Sequence, residues 1–450
     1  NSGEAIGRLR ILGRTKEKIP PTFRDVVVYR FAPNDLPHVA GVITEEPQTP
    51  LSHINLVARQ NRTPNAYLKN ASQDPRITAL VGKLVRLRVT TEGIEIEGVS
   101  DAEAKAHWTR VRPKKVQRPK RSLVTGKIKR LSKIRFKERH AFGAKTVGVA
   151  ELGRVPSALR VPQGYGVPFQ LYHRFMEALG FYESVKELLA DPKFQADAAT
   201  RRSALKRLRK QIKKSRVPPA LAKKLEAMHA RFPKGQALRC RSSANSEDLV
   251  GFSGAGLYNS YTHRKHEGAI TKSIKQVWAS LWTFRAFEER AFWRIDHLRA
   301  AMGVLVHPNF DDERANGVAV SKNLLAPKWE GTYVNVQRGE LQQVTNPLDA
   351  QPEEFVVTAI GPFVRAPLDP TGNGRARETI YLRRSSLVPR GKTVLSAEQV
   401  LELDLATRAI HKHFGRVYHK EDDPDFALDV EFKIDAAGDL VFKQARPWVD

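Results

Sequence analysis

A chain of 450 residues exceeds what one hydrophobic core organises, which points to two or three domains, and it has no apolar run of eighteen or more residues, which excludes a membrane-spanning helix. A single cysteine, Cys240, excludes an internal disulfide and fits a reducing compartment or indifference to redox state; the expected location is the cytoplasm. The formal charge of +28 suggests a nucleic-acid binder until it is mapped: residues 105–140 hold fifteen Lys/Arg and one acid, residues 201–231 hold twelve and one, and together they contribute 25 of the 28 net charges. The chain starts at Asn1 with no charged-then-apolar leader, which suggests a processing boundary with further chain upstream.

In chain order, residues 5–100 alternate short β-rich runs (VVVYRF, VAGVIT, ALVGKLVRLRV, GIEIEG) with turn residues and one helix beginning near Ser52. This is the pattern of a compact α/β domain, assigned to residues 1–104. Residues 105–139 turn to Pro, Lys and Arg (RPKKVQRPKR), too polar to bury, and read as a solvated basic linker. A larger α/β unit, residues 140–450, follows. Helical periodicity marks FQLYHRFMEALGFYESVKELLA and AITKSIKQVWASLWTFRAFEERAFWRI. Between them, a basic helical segment at about 196–231 spaces Leu205, Leu208 and Ile212 under a charged face and breaks at Pro218 and Pro219. That face is either solvated or a contact for an anionic partner. Cys240 falls in the apparent strand LRCRSS as a small buried residue, and the β-rich runs ALDVEFKI and LVFKQARPW close the chain.

The segment RSSANSEDLVGFSGAGLYNSY, residues 241–261, carries the strongest chemical signal. Gly251, Gly254 and Gly256, with Ser253 among them, let backbone N–H groups approach an anion, and Arg241 adds a planar fork of donors with permanent charge. Such a loop alone is also an ordinary surface turn. Lys145, in FGAKT, follows a glycine and precedes a helix, a place for a phosphate-neutralising charge. Asp429 and Glu431 share one face of a β-run, as do Gln444 and Arg446. A hairpin through Ala436, Ala437 and Gly438 would set these strands side by side and bring Glu431 and Gln444 together as hard oxygen ligands for magnesium. Each pair alone reads more simply as an exposed cross-strand pair on a sheet.

GAKTVGVAELGRVPSALRVPQGYGVPF, RSSANSEDLVGFSGAGLYNSY with VWASLWTFRAF after it, and DVEFKIDAAGDLVFKQARPW occur in the order expected of one domain. Residues 140–450 thus resemble the ATP-binding domain shared by pyruvate phosphate dikinase, phosphoenolpyruvate synthase and glucan, water dikinase. The resemblance implies an ATP-grasp-like fold, with phosphate contacts from Lys145, Arg241 and the glycine loop, and magnesium on Glu431 and Gln444 beside Asp429 and Arg446. GVLVHPNF resembles the segment crossing the adenine pocket, so Val304 and Val306 are expected to flank the base; this chain has His307 where the family commonly has an amide or acid. VAGVITEEPQTPLSHINLVARQNRTPNAYL resembles the swivelling phosphohistidine domain of the same enzymes, and the matching residue is His53. Thr49 or Ser52 would cap its helix, whose N-terminus favours a phosphoryl group on the imidazole, with Arg59 further along. The order, histidine domain before ATP domain, is that of glucan, water dikinase.

The expected protein is therefore an α/β phosphotransferase: a small swivelling phosphohistidine domain joined by a basic linker to an ATP-grasp-like domain. It would use ATP and magnesium to move the β-phosphate to His53 and on to an acceptor that is glucan, water or another small molecule, releasing AMP and phosphate. Two readings of other classes stand beside it: a non-catalytic module that responds to ATP, and a nucleic-acid-associated protein using the basic segments.

Overall fold

The computed structural model describes residues 1–13, 21–30, 36, 38–48, 53–247, 249, 252, 256–339, 351–359 and 377–448. By contact the chain divides into two units. Asn1–Arg130, Lys137–Thr146 and Gly164–Asn309 form the first, and Leu131–Phe136, Val147–Gln163 and Phe310–Asp450 form the second. Among the described residues no helix is long and apolar enough to cross a membrane.

In the first unit, strands β1 (Gly3–Leu12), β2 (Asp25–Tyr29), β3 (Gly41–Thr44), β4 (Asn65–Tyr67), β5 (Leu84–Val89) and β6 (Ile94–Gly98) build a sheet in the order β4-β3-β2-β1-β5-β6. Neighbours from β1 to β4 are parallel, while β5 and β6 pair antiparallel. The runs DVVVY and GVIT are buried at every position, because parallel strands are covered on both faces. Val26 and Val28 enter one core with Leu9 and Leu87, and Val27 and Tyr29 enter another with Val42 and Ile54. The helix His53–Gln60 makes the crossover from β3 to β4. At the β6 edge Arg86 and Arg88 pair with Glu97 and Glu95, and such charge discourages edge-to-edge association.

Ser100 and Glu103 form a capping box that starts the helix Asp101–Val111, and Trp108 Nε1 donates to the Ile6 carbonyl. The stretch expected from composition to be a solvated linker thus begins inside a helix. Beyond it, Arg112 Nη2 donates to the Ala291 carbonyl at 2.8 Å, Gln117 exchanges backbone bonds with Arg294 and Asp296, and Arg121 Nη1 reaches the Leu298 carbonyl at 2.9 Å. Guanidinium groups in this stretch act as donors to backbone carbonyls as well as carriers of charge. The N-terminal sheet is seated on the helix Phe284–Phe292: His38 Nδ1 lies 3.1 Å from Glu289 Oε2, and the Phe23 and Phe292 rings meet at 4.9 Å.

A second sheet of this unit is wholly antiparallel, with β7 (Lys129–Arg130), β8 (Tyr165–Val167), β9 (Leu238–Ala244), β10 (Tyr261–His263) and β11 (Met302–Pro308) in the order β10-β9-β11-β8-β7. Helices Phe169–Ala178 and Thr271–Ser280 pack on it, and their Tyr172, Phe175 and Trp278, with Trp282, fill the largest core. The basic segment forms two helices, Ala198–Lys214 and Pro219–His229, broken at the expected prolines, with Leu205, Leu208 and Ile212 turned inward. Cys240 is buried in β9, and burial pushes its thiol up to about 12.

The second unit is one antiparallel sheet of β12 (Ala315–Val320), β13 (Gly331–Arg338), β14 (Glu353–Ala359), β15 (Arg377–Arg383), β16 (Leu428–Ile434) and β17 (Leu440–Pro447), in the order β15-β14-β13-β12-β16-β17. Its apolar face, which includes Ala319, Val334, Phe355, Val430 and Phe432, shares a core with Leu403, Ile410 and Phe414 of the long helix Ala397–Tyr418. Gly317 faces Phe432 across the β12–β16 pair, and a Cβ at 317 would sit well inside contact with that ring. Gly317→Ala should therefore destabilise this unit by about 1–3 kcal/mol through overpacking. Denaturant unfolding checks this, and an unchanged midpoint would contradict the packing described.

Candidate functional site

Four residues converge where the helix Ala144–Leu152 begins. Gly143 has φ +83, and a Cβ there would lie 2.5 Å from the Ser243 carbonyl oxygen. Gly303, on β11, is equally crowded, with a Cβ 2.7 Å from the Phe142 carbonyl. Only glycine at both positions lets the chain press onto β9 and β11. Ser243 Oγ then accepts from Thr146 N at 3.0 Å and donates to the Phe142 carbonyl at 2.9 Å. It thereby satisfies one of the N–H groups left open at a helix N-terminus.

This contact assigns the faces of the sheet. Side chains alternate along a strand, so Arg241 lies on the same face of β9 as Ser243, the face from which the helix bearing Lys145 starts. Lys145 Nζ is 3.8 Å from Glu247 Oε1. Arg241 sits opposite Leu305 in the β9–β11 register, so Leu305 and, two residues on, His307 share its face. Val304 and Val306 point the other way. Both are completely buried in the core built around Trp278, so the structure does not bring them to Arg241. His307 Nδ1 is 2.7 Å from the Pro308 carbonyl, which makes Nδ1 the donor; in the neutral ring Nε2 is then an acceptor.

Of the loop after β9, Gly256 has φ +67 and is exposed, whereas Gly251, Ser253 and Gly254 lie outside the described residues. Tyr258 holds this region at two points: its carbonyl accepts from Ser242 Oγ at 3.3 Å, and its hydroxyl is 2.8 Å from Ser246 Oγ. Burial raises the pKa of that hydroxyl, and the positive charge of Arg290 opposes the rise. Arg290 is fully buried, its guanidinium 5.5 Å from the Trp282 ring centroid and its Nε donating to His297 Nδ1 at 3.2 Å. Sequence reading missed Arg290. The available signal was a cation three residues after Phe287, on a face otherwise spaced for a core.

In the second unit the expected hairpin is present. Glu431 lies opposite Gln444 and Asp429 opposite Arg446, with an irregularity in register just after Glu431. Arg446 Nε and Nη2 both donate to Asp429 Oδ2, at 2.9 and 2.5 Å. Burial raises the Asp429 carboxyl pKa, Arg446 pulls it back down, and Glu431 adds to the rise. The same face carries three polar residues that sequence reading passed over. Lys433, two residues beyond Glu431, is fully buried, 3.3 Å from Glu313 and 2.8 Å from the centroid of Phe310; burial pushes its ammonium down to about 8, against the pull of Glu313. Asn335 lies opposite Val318, itself opposite Glu431, and Asn316 accepts from Lys443 Nζ at 2.6 Å. Period two in ANGVAV and GTYVNVQR was the readable sign of this face.

The donors fit magnesium. A carboxylate and an amide oxygen opposite each other on adjacent strands lie within reach of one cation, which takes its remaining ligands from phosphate and water. Among the described residues no group of three or more His, Cys, Asp or Glu is placed to hold a metal, and His411 and His413 instead contact Ser321 and Glu151.

His53 is the first residue of its helix, at the end of the loop from β3, while the expected caps Thr49 and Ser52 lie outside the described residues. Arg59 is exposed in the last turn of that helix.

Ser243→Ala removes both polar contacts of the Phe142–Thr146 turn and leaves a buried donor and acceptor unsatisfied. It should cost about 1–3 kcal/mol in urea unfolding, and it should weaken binding of an ATP analogue in calorimetry more than Ser242→Ala does. His297 supplies a pH test. Burial, then the charge of Arg290, holds its pKa well below the ordinary 6.5. As pH falls below 6.5, the unfolded chain takes up a proton that the folded chain refuses, so stability is lost on acidification. In thermal melts between about pH 7 and about pH 5, His297→Gln should lose less stability than the parent; equal losses would contradict a neutral buried imidazole.

Residues 139–449 match the family described as Pyruvate phosphate dikinase, AMP/ATP-binding domain. Among known proteins, the chain is 29% identical over 281 residues to a rifampicin phosphotransferase from Streptomyces sp, covering 61% of this chain and 31% of that one. It is 27% identical over 349 residues to the phosphoenolpyruvate synthase of Helicobacter pylori, covering 71% and 41%, and 29% identical over 181 residues to that of Aeropyrum pernix, covering 39% and 22%. The chain therefore spans less than half the length of these relatives. With its match running through most of the second sheet's helices and the whole of the third sheet, the chain belongs to the pyruvate phosphate dikinase AMP/ATP-binding domain family.

Proposed function

We propose that this chain is an ATP-dependent phosphotransferase of the dikinase type, which moves the β-phosphate of ATP to His53 and then passes it to a further acceptor. The observation that carries this reading is the register of β16 and β17, which pairs two oxygen donors at Glu431 and Gln444 next to the Asp429–Arg446 ion pair. Lys145, Arg241 and the N–H groups of the loop through Gly251, Ser253, Gly254 and Gly256 would bind the phosphates. Placing cations and N–H dipoles where negative charge accumulates is the main contribution a protein makes to phosphoryl transfer. Magnesium, held by Glu431 and Gln444, would supply charge neutralisation on the phosphate oxygens.

For the base, the face shared with Arg241 favours Leu305 as the apolar contact and His307 as the polar one, in place of Val304 and Val306. An imidazole whose Nε2 accepts suits an adenine amino group, at a position where the family commonly has an amide or acid. His53 is the nucleophile in this reading. A neutral imidazole is competent near pH 7, and the N-terminus of its helix stabilises the phosphoryl group it gains. The bond between the α- and β-phosphates breaks, an N–P bond forms, and AMP and phosphate are the products once water has removed the γ-phosphate. Delivery to an acceptor such as a glucan, water or another small molecule then requires the seat of the N-terminal sheet on the helix Phe284–Phe292 to open.

ATP labelled at the β-phosphate should leave acid-labile label on the protein. His53→Ala and Glu431→Ala should each abolish it, by loss of the nucleophile and of a metal ligand. Label retained by His53→Ala would remove the proposed nucleophile.

A further inference from the structure

We propose that the first unit carries a surface for the phosphodiester backbone of nucleic acid, formed by the helices Ala198–Lys214 and Pro219–His229 with the stretch around Gly126. In sequence the two basic segments lie some sixty residues apart; in the fold they meet. Lys224 Nζ donates to the Gly126 carbonyl at 3.2 Å, and the Arg130 and Arg231 guanidiniums both stack on Tyr165, at 5.9 and 5.7 Å. The two helices also converge, because Lys213 lies over Tyr261 and His229 packs on His263, two residues along the same face of β10.

The cations form a pattern as well as an excess. With Leu205, Leu208 and Ile212 inward, a turn of 100° per residue places Lys206, Lys210, Lys213 and Lys214 together on the outward arc, and all four are exposed. Each i to i+4 step advances about 6 Å along the axis, so the helix presents a ridge of regularly repeated positive charge. Among the described residues Lys206, Lys210 and Lys214 have no carboxylate within ion-pair distance, and Glu226, the one acid in residues 201–231, faces His229. Like charges one turn apart oppose helix formation, and a mixed-sign surface would give solubility without that cost. A repeating polyanion is the partner that relieves the repulsion.

The surface also indicates how the partner is read. Leu221, Leu225 and Met228 of the second helix are buried like their counterparts on the first, so neither helix keeps an apolar face to insert into a lipid bilayer. Tyr165 is buried and Tyr261 only half-exposed beneath Lys213, so no row of open rings offers stacking platforms for bases. Contact is therefore with the backbone, independent of base sequence.

The test uses the full chain, labelled duplex DNA and duplex RNA of unrelated sequences, and anisotropy from about 50 to about 200 mM salt. Binding should be sequence-independent and fall steeply with salt. A variant with Lys206, Lys210, Lys213 and Lys214 all changed to Gln, residues that keep the helix, should bind at least about tenfold more weakly at the lowest salt. Its salt slope on DNA should flatten by about 0.9 for each cation lost, while β-phosphate labelling is unchanged. Circular dichroism confirms that the helices remain. Absence of binding at about 50 mM salt, an unaltered slope in the variant, or capture by phosphatidylserine vesicles in preference to both duplexes would each overturn the proposal.

Discussion

The seat of the helix bearing Lys145 rests on one close approach, the backbone of Phe142 and Gly143 lying directly against Ser243 and Gly303. No side chain larger than hydrogen is tolerated at either glycine. The gap that remains is closed by a single hydroxyl, which serves as acceptor to Thr146 N and donor to the Phe142 carbonyl at once. The start of the helix bearing Lys145 is thereby tied to a central strand of the sheet and to the face that displays Arg241. Two charges more than ninety residues apart in the chain acquire a common support through a contact with no charge of its own.

The same period-two logic organises the second unit. Its sheet is apolar on the face that packs with the helix Ala397–Tyr418 and polar on the other, where Asp429, Glu431, Lys433, Gln444 and Arg446 collect. Burying such groups is costly unless they pair, and they do pair: Asp429 with Arg446, Lys433 with Glu313, Lys443 with Asn316. Removing one partner from a buried pair is more damaging than never having built it, so these residues form an interdependent set.

Formal charge proved to be several different physical things. Arg112 and Arg121 are hydrogen-bond donors that hold the chain after the first sheet against backbone carbonyls. Arg290 is a core residue beside Trp282, His297 and Tyr258, and its charge opposes the burial-driven rise in the pKa of the Tyr258 hydroxyl. The lysines of the helix Ala198–Lys214 are solvated charges on an outward arc. Net charge by itself distinguishes none of these, because the distinction depends on which neighbours share the space around each side chain.

Much was legible in the sequence. The alternation of β-rich runs marked the sheets, Pro218 and Pro219 marked the break between the basic helices, and the residues between Glu431 and Gln444 required a hairpin that sets those two opposite each other. These features depend on local periodicity and turn chemistry, which a chain carries wherever it folds. What sequence could not settle was which face of a strand meets which neighbour. Val304 and Val306 share the alternation of their strand with Leu305 and His307, and nothing within GVLVHPNF says which pair turns toward Arg241. That was decided by the pairing of this strand with β9, which sets Leu305 opposite Arg241, and the burial of Arg290 and the meeting of the two basic segments were likewise decided by residues distant in sequence. The sequence alone determined the elements and their periodicities, because those are local; tertiary structure alone decided which faces became a site, because a face acquires its role only from what packs against it.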